Sequence, residues 1–180
     1  MNSSYKNNLN YRDLLETITF IQKPKSILEI GILDGYSLKS FADNSDKKTK
    51  IDAYDIFDEF NGNHSEKEKL IETFKEYSNV NIQYGNFYEL HELEDKYDMI
   101  HIDIANNGDV YEFSINHYLP KLNENGLLIL EGGSGQRDNV EWMIKYKKPK
   151  IQPILENYKD KMNIKTIGEI PSITLITKIN

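Results

Sequence analysis

The chain has 180 residues, no cysteine, and a net charge of −7 from 29 acidic and 22 basic residues, of which only Arg12 and Arg137 are arginines. That length is typical of one domain, and the lack of cysteine excludes disulfides, thiolate metal ligands and a cysteine nucleophile. An acidic, arginine-poor chain argues against nucleic acid as a partner. The polar start over residues 1–13 has no signal-peptide core, and no apolar run reaches the ~20 residues of a membrane span. We therefore expect a cytoplasmic chain without a membrane partner.

Short apolar blocks alternate with segments of helical periodicity, which is the pattern of a parallel sheet covered by helices. The first half of the chain begins with a predicted helix over 11–21, which Pro24 ends, and a strand at 26–31. A glycine-bearing turn then opens a second helix, which is followed by a strand at 50–56. A helix carrying Leu70 to Tyr77 and a third strand within VNIQYGNF at 80–87 complete this half. The predicted fold class is α/β.

The second half continues the alternation. A strand at 97–103 precedes a helix from Val110 to Leu119. A strand that begins at Gly126 is followed by Ser134, which caps or precedes a helix through Trp142 and Ile144. Two final strands are joined so closely, through Pro171 and Ser172, that they must be antiparallel, because parallel neighbours need a crossover. Five βα units and a terminal hairpin fit a single domain.

In such sheets a ligand binds beyond the carboxyl ends of the strands. Glu29, Gly31 and Gly35 lie where the first strand turns into its helix, and glycine there lets the backbone approach a ligand closely. Asp55 follows Gly35 by 20 residues at the end of the second strand, where an acid would accept ribose hydroxyls. The alternative is that Asp55 caps the following loop; the glycine turn favours the ribose interpretation.

Five motifs in this order resemble the class I S-adenosylmethionine-dependent methyltransferases, within them the small O-methyltransferase-like branch. They are EIGILDGYS at 29–37, YDIF at 54–57, YGNF at 84–87, YDMIHID at 97–103 and LNENGLLILEGGS at 122–134. The resemblance covers roughly residues 25 to 135. It implies a Rossmann-like seven-stranded sheet, mostly parallel with the last strand antiparallel, with helices on both faces. The domain would span residues 1–180, with 1–24 as an N-terminal helical extension.

The resemblance also implies a binding site for S-adenosylmethionine. Gly31 and Gly35 would admit its methionine moiety, and Tyr36 and Ser37 would place a hydroxyl on the carboxylate of that moiety. Glu29 would orient the turn or hold the amino group through water. The nucleoside would contact Asp55 at the ribose, Ile56 at the adenine face, and Asn86 and Phe87 at the adenine edge.

Asp103 ends the fourth strand, and the resemblance implies that it is the catalytic residue nearest the reacting methyl group. In metal-dependent members of the branch the matching aspartate also holds a divalent cation. Glu131 could be a second oxygen ligand, but the next position, acidic or amide in those relatives, is Gly132. Asn106, Asn107 or Asp109 could complete the set. We assign no metal ligand, and Mg²⁺ is an alternative that we do not favour.

The predicted function is O-methylation of a small hydroxylated molecule. One alternative is a non-catalytic, cofactor-binding scaffold or subunit with the same fold. An NAD(P)-dependent oxidoreductase fits less well, because Leu33 interrupts the glycine fingerprint. Nucleic-acid amino methylation fits poorly, because the stretch after the fourth strand, DIANNG, has no proline. The sequence does not decide between a monomer and a homo-oligomer.

Two charged side chains near the expected site each have two interpretations. Arg137 binds a substrate carboxylate or forms a salt bridge with a neighbouring acid. His101 shares a strand face with Asp103, where a histidine is either a satisfied core residue or part of the site.

Overall fold

A computed structural model describes residues 10–59 and 63–179, and the polar start over residues 1–9 lies outside them. The strands are β1 (Ser26–Ile30), β2 (Lys50–Asp55), β3 (Val80–Tyr84), β4 (Tyr97–Ile102), β5 (Leu122–Glu131), β6 (Met162–Gly168) and β7 (Ser172–Lys178). They form one sheet in the order β3-β2-β1-β4-β5-β7-β6. β7 is antiparallel to both of its neighbours and the remaining pairs are parallel. The predicted seven-stranded, mostly parallel sheet with a reversed last strand is confirmed.

The α-helices are α1 (Tyr11–Gln22), α2 (Tyr36–Asn44), α3 (Lys67–Thr73), α4 (Phe87–Leu90), α5 (Gly108–Phe113), α6 (Glu141–Lys145) and α7 (Ile151–Tyr158). α1 shows why the local sequence folds as it does. The Asn10 side chain accepts a hydrogen bond from the Arg12 N–H, and the helix ends at Lys23, in the left-handed region, before Pro24. The domain over residues 1–180 with an extension over 1–24 stays a prediction, since the described part of that extension begins at residue 10.

Alternate residues of the central strands pack into two cores, one on each face of the sheet. Ile27 packs with Phe41 and Met99 on the face that α1, α2 and α3 cover. Leu28 and Ile30 pack with Tyr111 on the face that α4, α5 and α7 cover. The prediction of helices on both faces is therefore confirmed, and the strand ends are left free to form a site.

Several predicted boundaries are wrong for local reasons. The third strand ends at Tyr84, because the Asn86 side chain accepts from the Tyr88 N–H and starts α4 at Phe87. β5 starts at Leu122 instead of Gly126, with a register shift between the Tyr97 and Met99 pairs. The helix predicted over 110–119 is α5 followed by a π-helical turn at Ser114–Tyr118.

The helix predicted through Trp142 and Ile144 is confirmed, and Ser134 precedes it. The Ser134 hydroxyl accepts from the Arg137 N–H at 3.0 Å and caps only a short 3₁₀ turn, Arg137–Asn139. α6 begins afterwards, at Glu141. The segment after β5 is therefore turn and loop before it is helix, which places Arg137 beside the end of that strand.

The sequence analysis does not predict α7, because the group that caps this helix is remote in sequence. Lys150, at the cap position, makes no side-chain cap bond. The buried Asp138 carboxylate accepts instead from the backbone N–H groups of Ile151 at 2.7 Å and Gln152 at 2.9 Å. A carboxylate at a helix N-terminus also interacts favourably with the helix dipole.

Replacing Asp138 with Ala should destabilise the protein by about 1–3 kcal/mol, since two backbone donors at the start of α7 lose their acceptor. Urea denaturation followed by circular dichroism measures this loss. Asp160→Ala removes an exposed acid beyond the other end of the helix and serves as the control. Equal stability of the two variants would show that Asp138 does not hold α7.

Candidate active site

A cavity of about 440 Å³ opens at the carboxyl ends of β1 to β4. That volume lies within the usual range of small-molecule sites, roughly 300–1,000 Å³. Of the predicted site residues, the structure brings these to its wall: Gly31, Asp55, Ile56, Asn86, Phe87 and Asp103. The segments after β1, β2 and β3 form one flank, and the segment after β4 forms the other. The pocket therefore lies at the edge of the sheet where the strand order predicts a ligand.

Four predicted residues do not line this cavity: Glu29, Gly35, Tyr36 and Ser37. Tyr36 is 59% exposed, and the Arg12 guanidinium lies 6.0 Å from the centre of its ring. Ser37 donates its hydroxyl hydrogen to Oε1 of the fully buried Glu29. Their contacts with a cofactor stay predictions.

Glu29 and His101 form a buried pair on adjacent strands. The two residues are register partners on β1 and β4, and His101 Nδ1 lies 3.4 Å from Glu29 Oε1. Phe41 packs edge-on against the imidazole, with 5.3 Å between ring centres. His101 is therefore a buried core residue that does not line the cavity, but its Nδ1 has no hydrogen-bond partner among the described residues.

Both glycines of the first turn are required by packing within the protein. Gly31 has φ +92°, and a Cβ there would lie 2.0 Å from the backbone oxygen of Asp103. Gly35 has φ +79°, and its Cβ would lie 2.7 Å from the Phe74 ring. Close approach of a ligand at these two positions stays a prediction. Within the protein, Gly31 lets the backbone after β1 lie against the backbone after β4 at the wall of the pocket.

Asp55 is a buried carboxylate whose hydrogen-bonding capacity is filled. Its Oδ2 accepts from the backbone N–H groups of Ile32 at 2.7 Å and Leu33 at 3.2 Å. Its Oδ1 accepts from the Phe57 N–H at 2.8 Å and from Asn63 Nδ2 at 2.7 Å. A carboxylate has about four lone-pair sites, so a ribose hydroxyl would have to replace or share one of these donors. The loop-holding alternative describes the contacts seen, and the ribose contact stays a prediction.

Asp103 lines the pocket, where its side chain is exposed, while protein surrounds it on the other sides. Loss of hydration raises the pKa of its carboxyl to about 6. His101 acts against this shift, the Glu131 and Glu29 carboxylates add to it, and Arg137 opposes it. At neutral pH Asp103 is therefore a carboxylate with increased proton affinity, placed in a ligand-sized cavity.

The question left open for Arg137 is answered by an ion pair. Its Nε donates to Glu131 Oε1 at 2.8 Å and its Nη2 donates to Glu131 Oε2 at 2.9 Å. Both oxygens of the second metal ligand suggested by the sequence are therefore engaged by a cation. Residues 10–59 and 63–179 hold no cluster of three or more His, Cys, Asp or Glu side chains suited to a metal. These residues do not fit a divalent cation site.

Some pocket residues were missed by the sequence analysis. Asn63 and Tyr88 follow predicted site residues closely, so the motifs around Asp55 and Asn86 could have suggested them. Lys148 also lines the cavity, yet it comes from the loop between α6 and α7. No pattern near Lys148 connects it to strand ends far away in the chain.

The pKa of Asp103 predicts a pH-dependent effect of its replacement on stability. A folded-state pKa of about 6, above the unfolded value of ~3.9, favours folding only while the group is protonated. That contribution is complete below ~pH 4 and is lost as the pH rises through about 6. Asparagine does not titrate, so the stability of Asp103→Asn relative to wild type should increase across this window.

Urea midpoints measured between pH 4 and pH 8 check this expectation. Glu76→Gln removes an exposed carboxylate and should show no such trend. A difference between Asp103→Asn and wild type that does not change with pH would contradict the raised pKa.

Comparison with known proteins identifies the family. The family model described as "Methyltransferase domain" matches residues 28–131, more than half of the chain. No curated protein sequence is significantly similar. None of the helices in the described residues has the length and apolarity that a bilayer-spanning segment requires.

Solved structures show the same fold at low sequence identity. The O-methyltransferase TomG from Streptomyces achromogenes, involved in tomaymycin synthesis and solved in complex with SAM, has TM-score 0.71 and 16% identity over 96% of this chain and 82% of its own. An O-methyltransferase from Bacillus cereus solved with SAH has TM-score 0.70 and 15% identity over 98% and 84%. A ribosomal protein L11 methylase from Lactobacillus delbrueckii subsp. bulgaricus has TM-score 0.62 and 16% identity over 94% and 77%. With its motifs, its sheet order and the match over residues 28–131, the chain belongs to the methyltransferase domain family.

Proposed function

We propose that this chain transfers a methyl group from S-adenosylmethionine to a hydroxyl oxygen of a small molecule. The observation that carries the proposal is the position of Asp103, a carboxylate of increased proton affinity in the wall of a ligand-sized pocket at the strand ends of a methyltransferase domain. Two of the structurally similar proteins are O-methyltransferases solved with SAM or SAH, which supports the choice of cofactor and of reaction.

The flank formed after β1, β2 and β3 suits the cofactor. Ile56 and Phe87 give this part of the wall apolar surface for an adenine ring. Asn86 also lines the cavity. Its Oδ1 accepts from the Tyr88 N–H, so its Nδ2 group is the donor that it would offer to a ring nitrogen. Gly31 leaves the wall without a side chain where the methionine part would lie.

The flank formed after β4 suits the acceptor. When bound, S-adenosylmethionine supplies an electrophilic methyl group, so the protein mainly positions the acceptor and removes its proton. Asp103 is the group that takes this proton, since it is ionised at neutral pH and lies in the wall. Ala105, Val110 and Lys148 also line the cavity, so a small molecule with an apolar body fits it. The net charge of −7 argues against a nucleic acid acceptor.

Calorimetric titration with S-adenosylmethionine, followed by mass spectrometry of a panel of phenols, catechols and their carboxylated forms, tests the proposal. We expect saturable binding and at least one acceptor that gains the mass of a methyl group. Absence of binding at the highest soluble concentration would refute the function. Binding without turnover of any acceptor would instead support the non-catalytic scaffold.

Ile56→Ala should weaken S-adenosylmethionine binding by about 5- to 30-fold, or about 1–2 kcal/mol, because apolar contact with the adenine is lost. Ile71→Ala is the matched control, because Ile71 lies on α3 and is 48% exposed. Titration calorimetry on both variants measures the effect. Equal affinity of the two variants would remove Ile56 from the cofactor site.

A further inference from the structure

The end of β5 carries a fixed cation. The Arg137 side chain is buried and binds both oxygens of Glu131 through Nε and Nη2. The same Nη2 donates to the backbone oxygen of Asn106 at 3.3 Å, and the Trp142 ring lies 4.9 Å from the guanidinium carbon. The guanidinium therefore has contacts to the β5 end, the loop after β4 and an aromatic face, which together fix its orientation.

Asn106 links this group to the strand that carries Asp103. The fully buried Asn106 amide donates to the backbone oxygens of Ile102 at 3.0 Å and Glu131 at 2.9 Å, so it joins the ends of β4 and β5. The Arg137 charge acts to lower the pKa of Asp103, and the Asp103 charge acts to raise the pKa of Arg137. The Arg137 Nη1 group is buried without a hydrogen-bond acceptor among the described residues.

Gly132 makes room for this arrangement. A Cβ at position 132 would lie 3.1 Å from the Ile151 side chain and 3.3 Å from Cγ of Arg137. The backbone there has φ +95°, which strains any residue with a side chain. An acid or amide at this position, as a third ligand would require, would crowd the arginine. The absence of an acid or amide at position 132 and the presence of Arg137 beside it therefore depend on each other.

We propose that the Arg137 guanidinium takes the place of a divalent cation at the ends of β4 and β5, beside the pocket, and that the wild-type chain binds no such cation between Asp103 and Glu131. The inference rests on the proposed function only in assigning the adjoining flank of the pocket to the acceptor. A guanidinium stays ionised at all relevant pH values and, held by Glu131 and Trp142, it needs no reorganisation when negative charge develops nearby. Arg137 is in this sense a positioning residue, which acts through Asp103 and Glu131.

The test measures Mn²⁺ binding by electron paramagnetic resonance on the full chain without cofactor or acceptor. Wild type should bind no Mn²⁺ between Asp103 and Glu131. Arg137→Met removes the charge while keeping a long apolar side chain, and it leaves both carboxylates uncompensated, so we expect Mn²⁺ affinity to rise about tenfold or more. Adding Glu131→Gln to Arg137→Met should abolish the gain.

Lys145→Met is the charge-matched control, because Lys145 is an exposed cation on the neighbouring α6; it should bind no more Mn²⁺ than wild type. Arg137→Lys keeps the charge and should also gain no Mn²⁺ binding. If circular dichroism shows that Arg137→Met is unfolded, the Mn²⁺ affinities of Arg137→Lys and wild type are compared instead. Mn²⁺ binding by wild type that Glu131→Gln removes would overturn the proposal, as would a folded Arg137→Met with wild-type affinity or an Arg137→Lys that gains binding.

A second readout is methyl transfer in the presence of a chelator. Wild-type turnover should be unchanged by EDTA, and Arg137→Met should lose kcat while its affinity for S-adenosylmethionine is kept. Loss of wild-type turnover in EDTA, restored by Mg²⁺, would overturn the proposal. Because Mn²⁺ binding is measured without cofactor or acceptor, it decides the question even if no acceptor is methylated.

Discussion

The Asp55 carboxylate is the contact on which the pocket depends most. Its four donors come from the turn after β1, from the start of the segment after β2, and from Asn63. A buried charge without these partners would be strongly destabilising, so the donors and the carboxylate hold one another in place. Two adjacent loops are thereby fixed as one wall of the cavity. A cofactor binding there meets a cradle that Asp55 has already organised, whether or not a ribose hydroxyl reaches the acid.

The β1–β4 contact then positions Asp103, the residue at which we propose that the chemistry occurs. Because Gly31 has no side chain, the backbone after β1 lies against the Asp103 carbonyl, and Asp103 stands beside the turn that Asp55 holds. The carboxylates of Glu29 and Glu131 also act on Asp103, and His101 and Arg137 act in the opposite direction. Such an accumulation of acids lowers stability, and it is typical of a site where reactivity is selected over stability.

The sequence predicted what local patterns encode. Buried apolar runs located the seven strands, and the short link at Pro171 and Ser172 required an antiparallel last pair. The motif positions placed six of the ten predicted site residues in the cavity wall. What the sequence left undecided depends on distant partners: α7 is capped by Asp138, Gly31 lies against the Asp103 backbone, and Glu131 forms the Arg137 ion pair. None of these pairs leaves a periodic or compositional signal, because each forms only when the sheet brings the strand ends together.

The flank that we propose for the acceptor illustrates how such distant contacts build a specific surface. Arg137 ties the segment after β5 to Glu131 and Asn106, and the adjacent Asp138 ties it to the start of α7. The Gly108 N–H donates to the backbone oxygen of Pro149 at 2.7 Å, which holds the loop carrying Lys148 against α5 and brings Lys148 to the cavity. The fold is shared with O-methyltransferases and with a methylase of a ribosomal protein, so the fold alone does not select an acceptor. In our proposal, selectivity comes from the part of the wall that these contacts position, where Lys148 would discriminate acceptors by charge and the lining would discriminate them by shape.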